Sequence, residues 1–121
     1  MSQFNTSGEK GYVATAALGD GVIVKLSSGQ VVVATAGADV SIGVIVGATA
    51  AGGTANVRLR SAQGTLKVQA GGTVAVGDAV TATAAGKAIT TVVAANQILG
   101  YALEAGVSGD MIEVMPSTAK V

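Results

Sequence analysis

The chain has no histidine, no cysteine and no tryptophan, and its 121 residues include one phenylalanine, two tyrosines and one proline. Each shortage excludes something. Without histidine the usual general base at neutral pH is gone; without cysteine so are the thiolate nucleophile, disulfides and the softer metal-ligand sets. Redox compartment therefore cannot be read from thiols. Serines are present, but none has a base to activate it. With aromatics so scarce, a core must be assembled from Val, Ala, Ile and Leu, which supply less area per residue than rings do. An excess of charge is lacking too, because seven basic and seven acidic residues cancel. That leaves no electrostatic footprint for nucleic acid and no polybasic patch for a membrane surface. The longest uncharged run, Val40 to Val57, is broken by Ser41, Thr49, Gly52-Gly53 and Asn56, and is too polar to span a bilayer. The opening MSQFNTSGEKG lacks the charged and apolar regions of a signal peptide.

What is there is a repeated β pattern. Gly29 and Gly86, Gly43 and Gly100, and Val57 and Val114 each stand 57 residues apart (86−29, 100−43, 114−57). Gly19-Asp20 matches Gly77-Asp78 at 58, so one residue was gained or lost between motifs. The halves run over about 19–60 and 77–116. Tyr12–Ala16, Gly21–Leu26, Gln30–Thr35, Ile42–Ala48, Thr54–Arg60, Thr65–Gln69 and Thr73–Val76 read as short strands. The second half continues with strands entered at Gly77-Asp78, leaving Gly86-Lys87, passing Gly100 and following Gly109-Asp110, the last stopped by Pro116. Ser27-Ser28-Gly29 reads as a three-residue hairpin turn with a bulge. Thr35–Ser41 has room for one helical turn at most, and glycine interrupts every alanine-rich piece that would otherwise favour helix. The expected class is all-β, a sandwich or small barrel of about ten strands with turns every eight to twelve residues. By size it is one domain over 11–121, with residues 1–10 as an extended arm whose large apolar group is Phe4. Near-zero net charge and small core residues favour an oligomer.

Chemistry has few places to live. The acids Asp20, Asp39, Asp78, Glu104, Asp110 and Glu113 are the candidates for a paired-carboxylate site. Asp20, Asp78 and Asp110 each follow a glycine at a strand entrance, where Asp caps turns through its own side chain. No clustered D-x-D spacing suits calcium, and the glycine-rich loops lack the Lys-Ser/Thr and the helix of a phosphate cradle. No catalytic residue, cofactor or metal is expected. Tyr12 and Tyr101 are the two rings available to a glycan, and Tyr101 matches Val44 in the repeat, the position of a core or rim residue.

The outward strand faces carry more information. In Thr54–Arg60, Ala55, Val57 and Leu59 fall on one face and Asn56, Arg58 and Arg60 on the other. In the second copy Ile112 and Val114 go inward while Met111, Glu113 and Met115 go outward. Exposed methionines mark contact areas. Phe4, Arg58, Arg60, Met111 and Met115 are thus the expected protein-contact residues, and binding to other protein surfaces is the function this composition permits.

The run GDAVTATAAGKAITT…ILGYALEAGVSGDMIEVM resembles the capsid cement, or decoration, proteins of tailed bacteriophages. Its recurring phrases fall at Gly77-Asp78-Ala79-Val80, Gly86-Lys87, Leu99-Gly100-Tyr101-Ala102-Leu103-Glu104 and Gly109-Asp110 to Val114. Leu99 stands where the family's pattern has Ile, and the resemblance covers roughly 19–116. It implies a virion protein on the outer capsid surface, a homotrimer that clamps adjacent major capsid subunits. It also implies a compact, tulip-like β-barrel or sandwich with a terminal arm reaching a neighbour. The alternatives are a glycan- or host-surface-binding module of a virion, and a tail or tube subunit.

Overall fold

The computed structural model describes residues 9–34, 41–59, 64–83, 85–91 and 98–116. Ten strands run through them: β1 (Glu9–Val13), β2 (Ile23–Ser27), β3 (Gln30–Val33), β4 (Gly43–Ile45), β5 (Thr54–Leu59), β6 (Leu66–Gln69), β7 (Ala79–Ala82), β8 (Ala88–Thr90), β9 (Gly100–Ala102) and β10 (Met111–Pro116). They form two five-stranded antiparallel sheets, β1-β5-β4-β2-β3 and β6-β10-β9-β7-β8, in a sandwich-like arrangement. Among the described residues there is no helix. Each sheet curls until its edge strands approach one another. Ala14 meets Val31 in a parallel bridge in the first unit, and Ala70 meets Ala88 in the second.

The two sheets have the same order and the same registers. Val24 faces Gly43 as Val80 faces Gly100, and Ile45 faces Val57 as Ala102 faces Val114. The offset is 56 through β2 and β7 (80−24) and 57 from β3 and β8 onward (88−31). The extra residue therefore sits in the second hairpin. In the first, Ser27 still pairs with Gln30, so the turn is the two residues Ser28-Gly29, with φ of 52° and 77°. That is a tight turn whose twist suits the flanking strands, rather than the bulged three-residue loop expected. The motif match also shifts. Gly77, whose N–H donates to the Ala102 carbonyl, corresponds to Gly21, whose N–H donates to Ile45, and not to Gly19.

Two other strands differ from expectation. β1 begins at Glu9, inside the stretch expected to be arm, because Glu9 pairs with Arg58 in register and accepts a hydrogen bond from Asn56 Nδ2 at 2.8 Å. Thr73–Val76 contributes only the bridge Val74–Gly106, since the chain turns again at Gly77 (φ 87°). The arm residues before Glu9 and, apart from Ser41, the one helical turn allowed for over Thr35–Ser41 lie outside the described residues.

Small aliphatic side chains fill the interior, as the shortage of rings requires. One cluster, including Ala14, Leu18, Val24, Val31, Ile45 and Val57, belongs to the first unit. The other includes Leu66, Val68, Val80, Ala82, Ala88, Ile112 and Val114 of the second unit, and takes in Ile23, Ala34 and Val44 from the first. The first unit thus inserts side chains into the core of the second. Tight spacing within each unit explains the glycine pair at 43 and 100. A Cβ at Gly43 would run into the Arg58 carbonyl, and one at Gly100 into the Met115 carbonyl, so only glycine lets β4 and β9 approach β5 and β10.

Candidate interaction surfaces

Among the described side chains that look away from the cores, a polar seam and two apolar areas of the second unit stand out. The seam runs between the units. Arg58, half-buried on β5, donates from Nε to the Thr65 carbonyl at 3.0 Å and lies 3.9 Å from the Glu9 carboxylate. Thr65 donates from Oγ1 to Glu113 at 2.6 Å, and the Glu113 N–H donates to Glu104 at 2.8 Å. Lys67 faces Glu104 at 3.5 Å. A cleft of about 500 Å³ opens beside this chain of contacts, lined by Glu9, Asp20, Val44, Arg58, Lys67 and Met111 among others. Arg58 therefore ties the two units together, a job that its outward position on a strand did not reveal.

Met111 also belongs to the seam. Gly21 lies so close that a Cβ there would stand 2.9 Å from the Met111 sulfur. Met115 is different. It sits beside Tyr101 in the β9–β10 register, Ala79 lies next in the row, and Met115 and Tyr101 are 48% and 37% exposed. This row is the first apolar area. Tyr12 is not its counterpart as a ring platform, because it packs against the first unit's core with Lys10 Nζ 5.3 Å from its ring centre. Phe4 and Arg60 lie outside the described residues.

The second apolar area was not foreseen. Val76, Leu103 and Val107 are all exposed, and the turns that carry them lie at one end of the second sheet, where β7 and β10 begin and β9 ends. The hydrogen bond from Gly77 to Ala102 and the Val74–Gly106 bridge hold these turns together. Register places Asp20, Val46 and Ala50 at the corresponding points of the first unit, of which Val46 is an exposed large apolar residue as well. An apolar residue standing where its repeat partner is Asp was a usable signal, obscured by the mistaken match of Gly19 to Gly77.

The acids are spread over separate turns. Asp20 accepts from the Gly47 N–H at 2.9 Å, and Asp110 accepts from the Val107 N–H at 3.0 Å. Asp78 accepts from the Ala75 N–H at 2.9 Å and from Thr90 Oγ1 at 2.8 Å. The backbone donor from Ala75 first, then the Thr90 hydroxyl, hold the Asp78 carboxyl below the usual carboxylate range. Glu104 and Glu113 belong to the seam, and Asp39 lies outside the described residues. Among the described residues no three acids gather in a way that could hold a metal ion. The arrangement offers contact surfaces and capped turns.

A family model described as phage cement protein matches residues 24–116. Among solved structures, the chain is similar to the N base of the head fiber gp8.5 of bacteriophage phi29. The TM-score is 0.79 at 22% identity, over 93% of this chain and 96% of that one. No curated protein matches the sequence.

Proposed function

From its membership of the phage cement protein family, to which residues 24–116 assign it, we propose that this capsid-associated structural protein binds the outer surface of the shell and clamps adjacent major capsid subunits. The family match is the observation that carries the reading. The physical case agrees with it. The surface offers apolar contact areas and a neutral net charge, which lets copies crowd onto a lattice without mutual repulsion. The exposed end formed by Val76, Leu103 and Val107 is the surface we assign to the capsid, since clustered apolar side chains on turns mark contact sites. A trimer, as the family resemblance implies, converts a weak single contact into a durable one through high local concentration. Expansion or rupture of the shell must then strip several contacts together.

The test is to mix the purified protein with undecorated capsids, pellet the capsids and heat them. Saturable co-sedimentation and a higher rupture temperature are expected, both lost in the double variant Val76→Asp, Val107→Asp. Capsids that neither retain the protein nor gain heat resistance would overturn the reading.

A second reading has one observation in its favour, the likeness to a head fiber base. The chain would then serve a virion appendage that meets glycans or the host surface. Saturable, sugar-specific binding on a glycan array, lost in Tyr101→Ala, would establish that role.

A further inference from the structure

The contact that joins the two units is built from two complementary surfaces, and the duplication has made each of them twice. Within the chain, residues 21–23 lie across the mouth between β6 and the β7–β8 turn. The Gln69 N–H donates to the Gly21 carbonyl at 3.0 Å, and the Ile23 N–H donates to the Gly86 carbonyl at 2.7 Å. Ile23 and Val44 are buried there, in one cluster with Ala82 and Ala88.

Register gives the unused halves. On the inserting side Gly21, Ile23 and Val44 correspond to Gly77, Ala79 and Tyr101 of the second unit. On the receiving side Gln69, Gly86 and Ala82 correspond to Val13, Gly29 and Leu26 of the first. Among the described residues, the Gly77 carbonyl, the Ala79 N–H, the Val13 N–H and the Gly29 carbonyl have no hydrogen-bond partner. The Val13 N–H points away from β5, because the next N–H, Ala14, donates to Gly53 across that pair. Apolar side chains flank these groups, with Val13 and Leu26 each 45% exposed. The sizes also trade places. Ile23 shares a cluster with Ala82 within the chain, whereas Ala79 would meet Leu26, so the combined volume is nearly kept.

We propose that a second copy of the chain completes the unused pair. Residues 77–79 of one copy lie across the mouth between β1 and the β2–β3 turn of the next. The Val13 N–H donates to the Gly77 carbonyl, the Ala79 N–H donates to the Gly29 carbonyl, and Tyr101 is covered. Such a contact is head-to-tail, and it closes into a ring where the rotation returns on itself. It rests on the trimer reading for the number of copies alone; the contact itself follows from the duplicated fold.

The chain has no cysteine, so Leu26→Cys and Ala79→Cys each introduce a single thiol. After oxidation, a disulfide-linked pair of one copy of each variant is expected in the mixture, at least tenfold above the pairs formed by either variant alone. In light scattering, wild type should show a multiple of the chain mass, falling to one chain in Leu26→Glu and in Tyr101→Glu. Absence of the mixed pair, or equal pairing of either variant with itself, overturns the head-to-tail contact. A wild-type trimer without mixed pairs leaves the trimer standing and removes this contact. A wild type that stays a single chain at every concentration overturns both, and leaves the mouth to another occupant such as the chain's own first residues.

Discussion

The two units share strand order and register, yet the same row of outward positions has opposite fates in them. In the first unit the row is Ile23, Val44 and Arg58, with Ile23 and Val44 fully buried and Arg58 engaged with Thr65 and Glu9. In the second it is Ala79, Tyr101 and Met115, and its two large members are exposed. A duplication of one β-unit thus solved its own edge problem once, inside the chain, and left the other edge open. The residues diverged where the fates diverged. A fold that needs bulk and a polar tie at the junction has Ile, Val and Arg, while the open copy has a small residue and two amphipathic or flexible ones.

The comparison can be broken most severely where both units obey the same rule. Gly43→Ala and Gly100→Ala each push a methyl into the backbone of the adjoining strand. Each should cost about 3 kcal/mol or more in denaturant unfolding. Next comes the contrast between rows. Ile23→Ala removes a fully buried side chain from the junction and should cost about 2–4 kcal/mol, whereas Tyr101→Ala should change the stability of the isolated chain by less than about 0.5 kcal/mol. Equal losses at the two positions would mean that the second row is covered within the chain. Arg58→Ala removes the hydrogen bond to Thr65 and the pairing with Glu9, and should cost about 1 kcal/mol; Met115→Ala, its counterpart, should cost less.

Acid sharpens the comparison at the strand entrances. The Asp78 pKa is lower folded than unfolded, so its stabilisation is complete above the ordinary carboxylate pKa and is lost as pH falls through the depressed folded value. Asp78→Asn should flatten the fall in melting temperature on acidification, and an unchanged acid profile would show that the Ala75 and Thr90 bonds carry no linkage. The smallest effect is expected at the tighter hairpin. Ser28 holds φ 52°, which asparagine tolerates better than serine does, so Ser28→Asn should raise stability by about 0.5 kcal/mol.

Much of the fold was legible because alternation survives short strands. The inward Val57 and Val114 and the outward Met115 follow from period two alone, and the glycine pair at 43 and 100 marked the repeat before its cause was visible. The hairpin at Ser28-Gly29 was misjudged because turn length depends on whether Ser27 pairs with Gln30, a cross-strand fact. The contact residues were harder. Arg58 and Met111 do face outward from their strands, but a second unit stands in front of them, and strand periodicity carries no information about which outward face another sheet covers. Val107 sits in a turn, where apolar residues have no periodicity to betray them, and Val76 closes the expected Thr73–Val76 strand, of which the structure keeps only the bridge at Val74.

An image reconstruction of capsids carrying the protein, at a resolution that separates the two units, tests this picture most directly. It should show the second unit's Val76–Leu103–Val107 end against the shell, with each chain's second unit meeting the first unit of the next. Density in which that end points to solvent, or in which neighbouring chains do not touch, would contradict it.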